Sequence, residues 1–147
     1  MIREYAETDL EELLDVWYKS TSIAHPFMDQ TFLKKEEKNI RDIYIPNTKT
    51  WVFPNSQGLD GFISMIENEV GAIFVRPEKH GQGIGKVLMD HVCQIHEEIE
   101  VEVFKDNKIG RAFYDKYGFK TTKEHVHEET KRVLLRMKFI GNASMTK

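Results

Sequence analysis

The feature that most constrains this chain is a change of pattern near residue 80, where an apolar strand gives way to a helix through three glycines. The segment from Val75 to Lys86 reads V-R-P-E-K-H-G-Q-G-I-G-K. The apolar run from Gly71 to Val75 is typical of a strand, and Pro77 ends it. Apolar residues then recur at helical spacing from Ile84 to Ile95. The glycines are therefore predicted to open a helix.

The start of a helix carries backbone N–H groups without intrahelical partners and the positive end of the helix dipole. Glycine removes the side chains that would keep a phosphate away from those groups, so the segment predicts a phosphate or pyrophosphate site. Two other phosphate loops do not fit the spacing. A Walker P-loop needs glycine at position 80 and Ser or Thr at position 87, where the chain has His80 and Val87. A dinucleotide fingerprint built on Gly81 and Gly83 needs a third glycine at position 86, where Lys86 stands.

The remaining pattern, Gly-x-Gly-x-Gly after a strand that ends Val-x-Pro, resembles the acetyl-CoA loop of the GNAT superfamily of N-acetyltransferases. His80 stands where family members usually carry Arg or Gln, so the implied phosphate binding rests on backbone amides. A turn that merely lets strand and helix pack closely is the structural alternative. The resemblance implies cofactor contacts from six consecutive residues: Gly81, Gln82, Gly83, Ile84, Gly85 and Lys86.

A second segment supports the same resemblance. Ile99 to Phe104 is typical of a strand, Asp106-Asn107 of a helix start, and Gly118 of a helix end. The pattern N-x-x-x-x-x-F-Y-x-x-x-G-F, from Asn107 to Phe119, resembles the second half of the GNAT cofactor site. Asn107 and Tyr114 are seven positions apart, so they share a helix face about 10 Å apart along the axis. Both can therefore point at one extended ligand, and Asn107 is implied as a cofactor contact.

The predicted elements run in the order strand, two helices, three strands, helix, strand, helix, two strands. Thr8 and Glu11 have capping-box spacing before the first helix, His25-Pro26 ends that helix, and Asp29 can cap the second. This order is similar to the GNAT fold over nearly the whole chain. The resemblance implies an α/β fold with a mixed, mostly antiparallel sheet and about four flanking helices. We expect one domain over residues 1–140 and a polar tail over residues 141–147.

In the GNAT fold the fourth and fifth strands splay apart, and the pantetheine arm of the cofactor lies between them. In this chain those strands are Val70 to Val75 and Ile99 to Phe104. The resemblance implies that Ile73, Phe74 and Val75 line the pantetheine and the acetyl group through their backbone. A plain core strand is compatible with that role.

Acetyl transfer to an amine needs a neutral nucleophile, stabilisation of charge on the thioester oxygen, and a proton for the departing thiolate. Tyr114 suits the third requirement, since phenols are protonated at neutral pH, and it matches the general acid proposed for the family. Glu102 lies where some GNAT enzymes carry a glutamate that takes the amine's proton. Alternation with Val101 and Val103 is equally typical of a solvated sheet face. Glu102, His25 and water therefore remain open as the base.

The acceptor pocket is expected where the first two helices cover the splayed strands. His25, in the sequence I-A-H-P-F, could hydrogen-bond an acceptor from a loop at this edge, and Phe27 lies beside it. Trp51 could form a pocket wall. For each of these three residues, ordinary packing or helix capping is the alternative interpretation.

Composition excludes several classes of protein. A net charge of −3 over 147 residues does not supply the basic face of a non-specific nucleic-acid binder, and it favours a cationic acceptor such as an amine. No apolar run reaches the length of a membrane span, so a cytoplasmic protein without membrane attachment is expected. The single cysteine, Cys93, rules out an internal disulfide, and the histidines form no convincing metal site, so no metal is expected. The partner is expected to be a small-molecule or peptide amine, and the protein a monomer or a homodimer.

The sequence thus predicts an N-acetyltransferase that moves an acetyl group directly from acetyl-CoA to a primary amine, with Tyr114 as general acid. An acyl-CoA-binding module of the same fold without transferase activity is the alternative from another class. A phosphate-binding domain for a different nucleotide is a third possibility, and it predicts that ATP or NAD competes with CoA.

Overall fold

The computed structural model describes residues 2–140, which form a mixed seven-stranded sheet with helices packed on both faces. The four α-helices are α1 (Leu10–Ala24), α2 (Gln30–Asn39), α3 (Ile84–Cys93) and α4 (Lys108–Tyr117). The strands are β1 (Arg3–Glu4), β2 (Lys49–Pro54), β3 (Leu59–Ile66), β4 (Glu69–Val75), β5 (Glu98–Phe104), β6 (Lys120–Val126) and β7 (Val133–Ile140). The predicted element order and fold class are confirmed. No helix within residues 2–140 is long and apolar enough to cross a membrane.

The strand order is β1-β2-β3-β4-β5-β7-β6, and every neighbouring pair except β4 and β5 is antiparallel. Strands β4 and β5 are parallel and pair at only two positions, Glu69 with Glu100 and Val70 with Val101. Beyond those positions the strands diverge, which confirms the predicted splay. The sheet therefore consists of two antiparallel halves joined by a short parallel contact.

Alternation along the strands gives each face of the sheet its own core. Side chains of one parity on β5 and β7, such as Ile99 and Met137, pack against Leu88 and Val92 of α3. On the opposite face, apolar residues of α1 and α2 pack on Val52, Leu59 and Phe62. The open part of the β4–β5 junction thus has α3 and α4 on one side and the end of α1 on the other.

The helix ends show which local sequence signals predict the observed caps and which do not. Asp29 caps α2 as predicted, since its Oδ1 accepts a hydrogen bond from the amide of Phe32 at 2.8 Å. The capping box predicted from Thr8 and Glu11 is wrong. Asp9 makes the local contact instead, accepting from the amide of Ala6 at 2.9 Å. Glu11 pairs with Arg41 of the segment after α2, at 2.8 Å, because a tertiary partner competes for that carboxylate.

Candidate active site

A cleft of about 1450 Å³ lies between the diverging strands β4 and β5. Strand β4 ends at Val75, which we call its open end, and leads into the glycine loop (residues 81–86) and α3. Strand β5 leads into α4. Both strands and both helices therefore wall the cleft, and the end of α1 adds Ser20, Ala24 and His25. Most of the residues that the sequence singled out are brought to this one surface.

The glycine loop combines an unusual backbone with open space. Gly81 and Gly83 both have a φ of +82°, in the left-handed region that residues with a side chain rarely adopt. A Cβ at either position would meet nothing within 4 Å, so packing inside the protein does not explain these glycines. The amides of Ile84, Gly85 and Lys86 follow directly in the first turn of α3 and have no intrahelical acceptors, since the first such bond runs from the amide of Val87 to the carbonyl of Gly83. Open space beside these amides fits a diphosphate group.

Gly85 has a different role in the same loop. A Cβ on Gly85 would lie 3.1 Å from the ring of Phe113 on α4, which is closer than most side-chain contacts. This glycine therefore lets α3 and α4 approach each other beside the cleft. The packing interpretation of the loop holds for Gly85, while the conformation and surroundings of Gly81 and Gly83 fit the ligand interpretation.

Two side chains contact the backbone at the open end of β4. The carbonyl oxygen of Val75 accepts a hydrogen bond from the hydroxyl of Ser20 on α1 at 2.8 Å. The Nε2 of His80 lies 3.0 Å from the same oxygen. His80 thus contacts the strand end, in a place where an arginine or glutamine was expected from the resemblance. Ile73, Phe74 and Val75 all line the cleft. In the described part of the chain, the edge of β4 that faces β5 has no strand partner beyond Val70.

Helix α4 places Asn107 and Tyr114 along the other wall, and both line the cleft. The side-chain oxygen of Asn107 caps the helix by accepting from the amide of Gly110 at 2.9 Å. The side chain of Tyr114 is only 6% exposed. Burial raises the pKa of Tyr114 above the ordinary range of a phenol. The Tyr114 hydroxyl therefore stays protonated at neutral pH, which is the form in which a phenol can donate a proton.

Glu102 lines the cleft from β5, and its carboxylate is part of a charged cluster on the α1 side of the sheet. Oε2 of Glu102 lies 3.3 Å from Nη1 of Arg136 on β7 and 3.5 Å from Nε2 of His125 on β6. Its side chain is one third exposed. Neither contact with Glu102 meets hydrogen-bond geometry in the described residues, so this carboxylate keeps acceptor capacity toward the cleft.

The three residues expected at the acceptor side have different positions. His25 lines the cleft and packs edge-on against Phe27 and Phe104, with ring centroids 5.8 and 5.1 Å away. Burial lowers the pKa of His25 to about 4, so its imidazole is neutral at pH 7. Phe27 lies behind His25 in this aromatic cluster. Trp51 is a core residue, 7% exposed and packed against His91, and in the described chain it does not reach the cleft.

Sequence reasoning did not single out a polar cluster between α3 and α4 that also lines the cleft. The hydroxyl of Tyr117 donates to Asp90 at 2.6 Å, and the ammonium of Lys86 pairs with the other oxygen of Asp90 at 2.8 Å. Burial, reinforced by this hydrogen bond, raises the pKa of Tyr117. The Lys86–Asp90 spacing of four was a detectable signal for the ion pair. The contact to Tyr117 depends on how the two helices pack.

The splayed β4–β5 junction, the open glycine loop at the start of α3 and the buried tyrosine on α4 fit the binding of an acyl-CoA thioester. A family model described as an acetyltransferase (GNAT) domain matches residues 11–140. The chain belongs to this GNAT family and is an acetyltransferase, and members of the family use acetyl-CoA.

Similar proteins include two from Escherichia coli strain K12. The peptidyl-lysine N-acetyltransferase YiaC is 36% identical over 120 residues, which cover 81% of this chain and 82% of that protein. The peptidyl-lysine N-acetyltransferase YjaB is 30% identical over 122 residues, which cover 82% of each. The solution structure of apo YjaB from E. coli aligns with a TM-score of 0.85 at 28% identity, covering 96% of this chain and 97% of that one. A PaiA N-acetyltransferase from Thermoplasma acidophilum, solved in complex with coenzyme A, shares the fold with a TM-score of 0.78 at 21% identity, covering 95% of this chain and 98% of that one.

Proposed function

We propose that this protein transfers an acetyl group from acetyl-CoA to the ε-amine of a lysine side chain in a peptide or protein. The observation that carries the proposal is the cleft itself, since the glycine loop, Tyr114 and Glu102 all line one continuous surface. The diphosphate of acetyl-CoA would bind the amides from Gly81 to Lys86. Its pantetheine arm would lie along Ile73, Phe74 and Val75, and Asn107 would contact it from the other wall.

The acceptor class is supported by relatives and by charge. Two relatives that are at least 30% identical carry the name peptidyl-lysine N-acetyltransferase. On the α1 side of the sheet, Glu102 lies in the cleft, and Glu69 and Glu100 lie beside it around one arginine. An excess of carboxylates attracts an ammonium group and raises its local concentration. A lysine side chain entering from this side would bring its amine toward the acyl thioester.

The chemistry follows from the residues on the two walls. The amine nitrogen attacks the thioester carbonyl carbon, forming a C–N bond, and the C–S bond then breaks. Glu102, or a water molecule that it holds, takes the proton lost by the amine. Tyr114 donates its phenolic proton to the departing CoA thiolate and regains one from solvent. The proton that Glu102 passes to solvent balances the one that Tyr114 regains, so the products from the neutral amine are the acetylated lysine and CoA with a free thiol. Both substrates are bound when the transfer occurs.

The test is thiol release from acetyl-CoA in the presence of a lysine-containing peptide. We expect turnover with the wild-type protein, and a loss of about 100-fold in kcat for Tyr114→Phe, which removes the proton donor but keeps the ring. Tyr117→Phe is the matched control, because it removes a cleft hydroxyl that is committed to Asp90. An unchanged kcat for Tyr114→Phe across pH would exclude the general-acid role.

Two further outcomes separate this proposal from the alternatives. Calorimetric binding of CoA without thiol release across lysine peptides, polyamines, amino acids and aminoglycosides would indicate a binding module. Turnover with a small amine but none with peptides would keep the transferase and change the acceptor class.

A further inference from the structure

The cleft has a closed end, where Glu69 and Val70 of β4 pair with Glu100 and Val101 of β5. Arg136 on β7 reaches across β5 to this end. Its guanidinium donates to both carboxylate oxygens of Glu69 on β4, at 3.0 and 3.2 Å, and its Nε donates to Glu100 on β5 at 3.0 Å. Hydrogen bonding to Glu69, the largest influence, raises the pKa of Arg136 above its ordinary value. One side chain thus ties three strands together at the point where β4 and β5 begin to diverge.

The closed end needs such a tie because of its charge. Only two rungs join β4 to β5, and one of them sets Glu69 directly opposite Glu100. Like charges facing each other on neighbouring strands repel. The other rung is the apolar pair Val70 and Val101, both buried. Arg136 lies between the facing carboxylates and turns their repulsion into attraction to a shared cation.

The backbone adds a smaller restraint at the same end. The amide of Glu100 donates to the carbonyl of Asn68 at 3.0 Å, and the side-chain amide of Asn68 donates to the carbonyl of Glu98 at 3.2 Å. These bonds hold the β3–β4 turn against β5, but they do not neutralise the facing carboxylates. Lys138 pairs with Glu98 at 3.0 Å. Among the described residues, the cation hydrogen-bonded to both sides of the charged rung is therefore Arg136.

The position of the closed end matters for the acyl group. The amides proposed to bind the diphosphate follow the open end of β4. The closed end at Val70 lies about 16 Å from Val75 along the strand. A linear acyl thioester anchored at the open end and extended along β4 directs its acyl chain toward Val70 and Val101. Both residues line the cleft, so the rung that Arg136 stabilises limits how far the chain can extend.

We propose that Arg136 determines the acyl-chain selectivity of the enzyme, by holding β4 and β5 together behind Val70 and Val101 so that only short acyl groups fit. The inference rests on the proposed function, because it assumes that an acyl-CoA thioester occupies the cleft. Arg136 is a positioning residue that acts through the two strands.

The test is the ratio of kcat/KM for butyryl-CoA to kcat/KM for acetyl-CoA, measured with one lysine peptide. For Arg136→Met we expect this ratio to rise about tenfold, because the unneutralised rung opens and the inner end deepens. Arg136→Lys keeps the charge, and its ratio should lie between those of wild type and Arg136→Met. Adding Glu69→Gln to Arg136→Met removes the repulsion and should return the ratio toward wild type. A general loss of stability would lower both values together and leave the ratio unchanged.

Binding provides a measurement that does not need turnover. Calorimetric dissociation constants for butyryl-CoA and acetyl-CoA should give the same change of ratio in Arg136→Met. If the wild-type protein binds both thioesters but transfers neither, the proposed function fails while the binding ratio still tests Arg136. An unchanged ratio in a folded Arg136→Met protein overturns the inference. Should that variant fail to fold, Val70→Ala tests the same boundary, and an unchanged ratio there would show that the closed end does not limit the chain.

Discussion

The imidazole of His25 lies among aromatic rings at the edge of the cleft, and this position governs its charge. It packs against Phe27 and Phe104, and within residues 2–140 its buried Nδ1 has no hydrogen-bond partner. Because burial penalises the charged form, the pKa of His25 falls to about 4. At neutral pH the ring is therefore an uncharged part of the cleft wall. The same low proton affinity makes His25 a poor general base.

This burial predicts a specific loss of stability in acid. The folded-state pKa of about 4 lies below the ordinary value of about 6.5 in the unfolded chain. The unfolded state therefore binds more protons between those pH values, and the free energy of unfolding decreases as pH falls from 6.5 toward 4. From pH 7 to pH 5 the contribution of His25 should decrease by about 2 kcal/mol. Urea unfolding of wild type and His25→Phe at both pH values measures it, since the variant lacks the titrating group.

In that comparison, carboxylates elsewhere titrate alike in both proteins, so the difference between them isolates His25. An equal decrease in wild type and His25→Phe would show that the imidazole is solvated in the folded protein.

At the scale of secondary-structure elements, Arg76 connects α1 to the start of the glycine loop. It follows β4 directly, is 8% exposed, and donates from Nε to the carbonyl of Leu59 at 2.6 Å. Its two terminal nitrogens pair with Asp15 and Glu12 of α1, each at 2.7 Å. Glu12 in turn accepts from the amide of Leu59 at 3.2 Å. Helix α1, β3 and the exit of β4 are thus joined through one guanidinium.

Replacing Arg76 should cost far more than replacing an exposed cation. Arg76→Met leaves the buried carbonyl of Leu59 without its donor and removes one partner each from Glu12 and Asp15, so we expect a loss of about 2 kcal/mol in the free energy of unfolding. Lys35→Met is the matched control, because Lys35 pairs with Glu129 at 3.0 Å in an exposed, solvent-screened bridge, and its replacement should change the free energy of unfolding much less. Urea denaturation measures both. Equal losses in the two variants would contradict the structural role given to Arg76.

At the level of elements, some features of the fold could be predicted from sequence and others could not. Local signals located the elements well, because Asp29, Asn107 and Gly118 act on backbone groups within a few residues. The glycine loop was predictable for the same reason. The capping box predicted for Thr8 and Glu11 does not form, since Glu11 pairs with Arg41 in a distant segment.

Contacts between elements could not be predicted, because they join residues that are far apart in sequence. The buried state of Trp51 depends on α3 packing over β2, and the carboxylates around Arg136 come from strands far apart in sequence. Alternation on β5 indicated that Glu100 and Glu102 share a face. It could not indicate that a residue of β7 would neutralise them.

For the molecule as a whole, the sheet has two halves that meet over only two β4–β5 rungs. One half, β1 to β4, leads into the glycine loop, while the other, β5 to β7, carries α4 between its strands. A ligand in the cleft contacts both halves at once. Binding of CoA should therefore stabilise the two halves jointly, by about 2.7 kcal/mol when CoA is present at 100 times its dissociation constant.

Hydrogen exchange measured with and without CoA tests this coupling. We expect slower exchange of backbone amides in β4, in β5 and in the first turn of α3, because the pantetheine arm would join the edges that diverge beyond Val70. Adenosine 3′,5′-bisphosphate is the matched control, since it carries phosphates but no pantetheine, and it should not slow exchange in β5. Protection by CoA that is confined to the glycine loop would mean that the arm does not lie between the strands, and the cleft would then have no part in holding the acyl group.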